Sequence, residues 1–513
     1  MRRRRSLVLV AALLVATGGG TALATTPADA TNPTSPRTIG ASDWPTFGHD
    51  AQHTFAGVTS ITPATAPTLA PAWFFPTGDA VTANPVVVGD TVYVGSWDGY
   101  FYAIDRATGA LRWKYLLKQQ PAINPSPGNA NPRDVTSDGG LVTGSAWFAP
   151  SHAGRPNLVI FAGGYTLYAL DADTGTLFWS HDYTGLPESV ASPTTDSTRI
   201  FSSPVVFGND VIIGVSSDGV SGHRGYVVSA NLQNGNPLWR FETDVDASGN
   251  LLNDGCGGVW SSPSLDPVRG LVFVGVADCR FQGLAPYHER VIALNARTGS
   301  VAWVFTPPRL QSVPDGQDPA CDFDFGATVN LGSPDRVTKA PSFLGIGGKD
   351  GTYYRLDPAT GRLQWAHNVV FGGSAGGFLG TTAFDGKRAY GGTAIGDVGS
   401  CEPSNPADTP FQEQSMHAFN SDGSLAWEQP AAQSLGPTTV PGGRIVSGYP
   451  FAPEVQIRDS ATGNLINSLT VASDCFCGIS VSANAVFFGT GSPQQGTGDG
   501  VYAFTPLGTA PTS

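Results

Sequence analysis

Charge is the first thing this sequence is short of. Only 13% of its 513 residues are Asp, Glu, Lys or Arg, about half the usual share of a soluble domain. Lys and Glu, which populate surface helices, are scarce, so a helical bundle is excluded. There is no Cys-x-x-Cys-His, hence no covalently attached c-type haem, and no Cys-x-x-Cys zinc knuckle. No Gly-Lys-Ser/Thr run offers a phosphate cradle. The eight His are scattered, with only His49 and His53 close, which indicates neither a zinc site nor a Ser/His/Asp triad. The apolar run from Leu7 to Ala16 is too short for a bilayer, which takes about 20 helical residues.

What the chain has is turn formers and aromatics: 65 Gly, 40 Pro and 10% Phe, Trp and Tyr, the composition of a large all-β protein. Arg2 to Arg5, the short apolar run and the small residues Ala22-Leu23-Ala24 read as a secretory signal peptide over 1–24, with Ala28-Asp29-Ala30 as an alternative cleavage site. A secreted or extracytoplasmic chain follows, with no integral membrane segment in the mature part. Cleavage after Ala24 leaves 24 Lys and Arg against 41 Asp and Glu, a charge of −17. An acidic surface without a basic cluster argues against nucleic acid and anionic membranes. Six Cys in an oxidising compartment allow up to three disulfides, of which Cys256 with Cys279 is the preferred pair.

One phrase organises the chain: an apolar strand ending in Asp or Asn, a Thr-Gly-like turn, then an apolar run with Trp. It occurs at Asp105, Thr108-Gly109 and Trp113, then at Asp171, Thr174-Gly175 and Trp179, and at Asn231, Asn234-Gly235 and Trp239. It returns at Asn295, Thr298-Gly299 and Trp303, at Asp357, Thr360-Gly361 and Trp365, and at Asn420, Asp422-Gly423 and Trp427. Asp459 with Thr462-Gly463 is a degenerate seventh copy with Asn467 in the Trp place, and Val501 to Phe504 a truncated eighth. Successive Asp/Asn positions lie 66, 60, 64, 62, 63 and 39 residues apart, right for a four-stranded unit with loops. Asp or Asn caps the turn, Gly accepts the positive φ, and Trp anchors with a large apolar area.

A four-stranded sheet cannot bury both faces alone. Eight stacked around an axis can, which predicts an all-β, eight-bladed β-propeller with four-stranded antiparallel blades over 41–507. Residues 25–40 read as a disordered linker and 508–513 as a disordered tail. Asp43 to Gly48, followed by His49 to Gly57, is expected to close the ring by joining the strands near 480–505. The Pro/Asp/Gly/Ser-rich inserts 119–150, 183–199 and 306–339 should gather over one face.

The repeated Ala-x-Asp-x-x-Thr-Gly-x-x-x-Trp phrase resembles the tryptophan-docking motif of quinoprotein (pyrroloquinoline quinone, PQQ) alcohol dehydrogenases, most closely the polyvinyl-alcohol-dehydrogenase-like proteins without their cytochrome domain. The resemblance implies PQQ and Ca²⁺ as cofactors and assigns residues. Gly257 to Pro263 is similar to the stretch whose Trp stacks on PQQ, which points to Trp260, and the Asn calcium ligand of the family falls on Asp278. Carboxylate oxygen suits Ca²⁺ at least as well as amide oxygen. Cys321-Asp322-Phe323-Asp324-Phe325-Gly326-Ala327-Thr328 resembles the segment holding the catalytic Asp, placing it at Asp324 with Asp322 as the alternative. Acids at spacing two share a strand side and repel, which favours general-base use. Gly347 to Gly351 resembles the turn whose Lys, here Lys349, reaches the quinone oxygens. The bland readings are a blade-packing Trp260, turn or loop carboxylates, and an exposed Lys349.

Two departures stand out. The Glu calcium ligand expected before Arg224-Gly225-Tyr226 is missing, with Asp218 as a shorter substitute, and so is the adjacent-cysteine disulfide. Gly372-Gly373-Ser374-Ala375-Gly376 spells a hydrolase nucleophile elbow, but that mechanism needs a strand, a strained turn and a helix, which a blade does not offer. The expected activity is a secreted PQQ- and calcium-dependent alcohol dehydrogenase that takes a small or polymeric alcohol and passes electrons to an external acceptor. The alternative is a noncatalytic propeller that binds protein or polysaccharide.

Overall fold

The computed structural model describes residues 37–118, 142–152, 154–184, 199–216, 222–278, 285–308, 323–332, 340–370, 372–373, 376–395, 413–491 and 500–513. Eight antiparallel sheets follow one another along these residues. The first blade shows the pattern, from the axis outward: Val86–Val88, Thr91–Gly95, Tyr100–Asp105 and Leu111–Leu116. The innermost strands of the next five are Trp147–Ala149, Val205–Phe207, Ser264–Asp266, Asn330–Gly332 and Ala383–Phe384. Burial falls from axis to rim. Leu158–Gly163 in the second blade is buried throughout, because neighbouring blades cover both its faces, whereas Leu177–Asp182 at the rim is mostly uncovered. The low charge content follows from this stacking, since most strand positions have apolar cover on both sides.

Two blades depart from the expected plan. The seventh has three strands, Arg444–Gly448, Glu454–Asp459 and Leu465–Thr470, and a single bridge from Thr439 to Val446 stands where the innermost strand would be. The eighth joins Ile479–Ser482, Ala485–Thr490 and Gly500–Pro506 to Leu69–Pro76, which is its outermost strand. The closing strand is therefore Leu69–Pro76 and not Asp43 to Gly48. Pro71 and Pro76 disguise it in the sequence, and they are tolerated because an edge strand leaves its outer N–H positions unpaired.

Residues 44–60 do something else: they thread across the axis at the far ends of the innermost strands. Trp44 exchanges backbone hydrogen bonds with Val87 of the first blade, and the Pro45 carbonyl accepts from Phe148 of the second. Carbonyls of Ala51, Gln52, Thr54 and Phe55 accept from Leu265, Leu331, Phe384 and Val440, and Ser60 donates to Ala483. One segment thus ties seven blades, with Trp44, His53 and Phe55 fully buried.

The repeated phrase forms the rim. Each Trp indole N–H donates to a backbone carbonyl of the following blade: Trp113 to Ala172, Trp179 to Leu232, Trp239 to Ala296, Trp303 to Pro358, Trp365 to Ser421 and Trp427 to Ser460, all at 2.9–3.1 Å. The eighth blade's Trp is Trp73, which donates to the Arg106 carbonyl of the first blade. Asn467 makes the same contact with its amide, 3.0 Å from the Ala66 carbonyl. The turn Gly is required here: Gly361 has φ +71°, and a Cβ on it would lie 2.5 Å from the Trp303 ring.

The chain ends differ from expectation where they are described. Arg37, in the expected linker, forms an ion pair with Asp173 at 2.5 Å. The tail is tied down, with the Thr512 N–H donating to Asn484 Oδ1.

Candidate active site at the propeller axis

Antiparallel pairing brings the start of each innermost strand and the end of the next strand to one face. Trp260 precedes Ser264–Asp266, Asp278 follows Leu271–Gly275, Asp324 precedes Asn330–Gly332, and Lys349 follows Phe343–Gly347. Four residues far apart in sequence therefore meet where the fourth and fifth blades adjoin. Lys349 Nζ lies 2.8 Å from Asp324 Oδ2, and the Asp278 backbone N–H donates to Asp324 Oδ1 at 2.6 Å. The same ammonium is 5.5 Å from the Trp260 ring centroid, within cation–π range. Lys349 and Asp324 are both buried, at 7% and 6% exposure, so their charges are paired in a setting that screens them weakly.

The Trp260 indole rests on bare backbone. A Cβ at Gly326 would lie 1.6 Å from the ring, so a side chain there would displace the indole. Lys349 is set with similar closeness: its carbonyl accepts from Gly373, and a Cβ on Gly372 would lie 1.5 Å from that oxygen. The first two glycines of the Gly-x-Ser-x-Gly spelling thus pack against the Lys349 turn, while Ser374 and Ala375 lie outside the described residues. Asp350 completes the turn by accepting from the Thr352 N–H and the Tyr354 hydroxyl.

Glu289, which sequence reasoning passed over, staples this arrangement. It is 1% exposed and holds a left-handed φ of 51°, a costly conformation for a residue with a side chain. Its N–H donates to Ala277, next to Asp278, and Oε1 accepts from the Phe323 N–H, next to Asp324. No spacing rule flags it, because its partners come from two other strand ends.

Below Trp260 runs an axial cavity of about 190 Å³ to which every blade contributes, with Phe47 of the threading segment in its wall. Hydroxyls link consecutive blades around it: Ser145 N–H to Ser203 Oγ, Ser203 to Ser262, Ser262 to Thr328 and Thr328 to Thr381. The relay reaches no further than the sixth blade, because Gly436 lines the cavity in the seventh. Cys477, also in the wall, is bonded to Cys475. Cys256 is in a disulfide, and Cys279 lies outside the described residues.

Asp322 and Asp218 also lie outside the described residues, and among those described no three His, Cys, Asp or Glu gather as a metal site. His53 is not a ligand but a core residue, bonded to Ser264 and pushed down to about 4 by burial. The donor set that remains fits a planar acidic quinone in one respect, an indole floor cleared by Gly326 with an ammonium beside it, and offers carboxylate oxygen from Asp278 and Asp324 towards a hard cation.

Comparison with known proteins bears on the fold and the family. Residues 44–369 match the glucose/ethanol/alcohol dehydrogenase β-propeller domain, PQQ. A polyvinylalcohol dehydrogenase of Pseudomonas sp is 26% identical over 66% of this chain and 52% of its own. The quinohemoprotein alcohol dehydrogenase of Comamonas testosteroni is 26% identical over 64% and 46%. The chain spans about half the length of the curated relatives it matches. Among solved structures, that Comamonas enzyme superposes with a TM-score of 0.67 at 18% identity over 92% of this chain and 82% of its own, and BamB of Moraxella catarrhalis with 0.52 at 14% over 85% and 99%. These likenesses, at such identities, speak for the fold alone. By the family match, which covers most of the chain, this protein belongs to the PQQ glucose/ethanol/alcohol dehydrogenase β-propeller family.

Proposed function

We propose that this protein is a secreted alcohol dehydrogenase that holds PQQ and Ca²⁺ at the axial site, oxidises a small or polymeric alcohol and passes electrons to a separate acceptor. The observation that carries the reading is the buried Asp324–Lys349 pair beside an indole laid on Gly326. Trp260 is the stacking platform. Lys349 donates to quinone oxygen, and Asp278, with Asp218, supplies oxygen to the cation. When bound, PQQ supplies a two-electron acceptor whose carbonyl a divalent cation polarises.

The chain's own part is acid–base and positional. Asp324 takes the alcohol hydroxyl proton, the Asp278 N–H and the Lys349 ammonium fix its carboxylate by one hydrogen bond to each oxygen, and Glu289 holds both supporting loops. Polymeric relatives are named among the matches, which supports a polyvinyl-alcohol-like substrate. Among the described residues no helix is long and apolar enough to cross a membrane. Secretion rests on the 1–24 signal peptide.

The test is dye-linked oxidation of alcohols by the mature protein supplied with PQQ and Ca²⁺. Asp324→Asn should lower turnover by about 10²–10⁴-fold, the usual share of a positioned base, while PQQ binding persists. Unchanged turnover would remove Asp324 from the role. Failure of the wild type to bind PQQ would leave the scaffold reading.

A further inference from the structure

The loop Asp244-Val245-Asp246-Ala247-Ser248-Gly249-Asn250-Leu251-Leu252-Asn253-Asp254-Gly255 lies just ahead of the Trp260 segment. Its first half spells Asp-x-Asp-x-Ser-Gly, the opening of a twelve-residue calcium loop, but the twelfth position is Gly255 in place of the usual Glu. The fold gives the two aspartates different tasks. Asp246 is exposed and used up by the turn: it accepts from the N–H groups of Ser248 and Asn250 and from the Asn250 amide. Gly249 takes φ +82° to close that turn.

Asp244 is the opposite case. It is fully buried and its Oδ2 accepts from the Asp254 N–H at 2.9 Å; the Gly255 and Cys256 N–H groups also favour its charged form, but neither makes a well-aligned hydrogen bond to Oδ1. The Asp244 carbonyl accepts from Leu252, so both residues flanking Asn253 are bonded to Asp244. Asn253 Oδ1 is likewise enclosed and without a partner, and its backbone is left-handed at φ 57°. Asp254 adds a second carboxylate beside the first: burial, then its negative charge, push Asp244 up to about 6. Among the described residues neither acid is paired with Lys, Arg or His. Two enclosed oxygens without a well-aligned donor and two like charges side by side are costly as they stand, and one hard cation relieves this.

We infer that Asp244, Asn253 and Asp254 form a calcium site, distinct from the axial one, that fastens the loop carrying Trp260. An all-oxygen set of carboxylates and an amide selects Ca²⁺ over softer metals. The link to Trp260 is short: Thr243 Oγ1 donates to the Gly257 carbonyl, and the Gly257 N–H donates to the Asp278 carbonyl.

The test is calorimetric titration of the PQQ-free mature protein with Ca²⁺. The Asp278→Ala variant, which removes the proposed ligand of the cofactor cation, should still bind one Ca²⁺, with Kd of about 10⁻⁴–10⁻³ M as in extracellular modules. In that background Asn253→Gly should weaken binding at least about tenfold while its melting temperature in chelator stays the same or rises, because Gly accepts the left-handed φ without strain. Asp244→Asn should abolish binding. Undiminished affinity in Asn253→Gly, or no Ca²⁺ bound by Asp278→Ala, would overturn the site, and Asn253→Gly decides the matter if Asp244→Asn does not fold.

Discussion

Rim and axis are built on different rules. At the rim the same contact recurs eight times, an indole or amide N–H to the next blade's carbonyl; seven are a Trp over a turn Gly, and Asn467 keeps the hydrogen bond without the Gly. At the axis the blades diverge: the cavity wall takes Thr143 from the second, Phe201 from the third, Trp260 from the fourth, Gly326 from the fifth and Phe476 from the eighth. Repetition specifies a ring that closes, and departures from repetition specify what the ring can hold. A fold does not by itself fix a function, so function has to be read from the second property.

The comparison breaks most visibly at the rim. Trp303→Ala should cost about 3–5 kcal/mol, seen as a lower denaturation midpoint, while turnover of the protein that stays folded is unchanged. Loss of turnover without loss of stability would mean that rim and axis are not separable. A smaller effect is expected from the axial thread. His53 is held neutral to about 4 by burial, against about 6.5 when unfolded. As pH falls through that window only the unfolded chain gains the proton, so stability is full above 6.5 and drops by about 1.4 kcal/mol per unit towards 4. His53→Asn, which tolerates the left-handed φ of 51°, should make this acid limb shallower by that amount; an unchanged limb in denaturant titrations at pH 4–7 would remove His53 from it. The smallest effect is Asn467→Ala, about 1 kcal/mol for one hydrogen bond, which measures the seventh rim contact against its Trp counterparts.

The rim was legible in the sequence because each copy carries its own strand, turn and anchor within a dozen residues. The closing strand was not, since Leu69–Pro76 has Trp73 but no turn phrase before it, whereas Asp43 to Gly48 shows strand-like alternation that the fold uses only for single bridges to Val87 and Trp147. At the axis, Trp260, Asp278, Asp324 and Lys349 could be named from resemblance, and the structure places them in one cluster. Glu289 and Asn253 could not, because a buried staple or an enclosed amide is defined by partners that only the folded chain brings near. The Gly-x-Ser-x-Gly run illustrates the converse: its spelling suggested a nucleophile, and its described glycines, Gly372 and Gly373, pack around Lys349.

The central claim is that the indole on Gly326 is a quinone platform, and PQQ titration of the wild type against Gly326→Leu tests it most directly. The wild type should bind one PQQ saturably at micromolar concentration, and Gly326→Leu, which drives a side chain into the Trp260 ring, should lose that binding while still melting cooperatively. Equal binding by the two proteins, or none by the wild type, would contradict it.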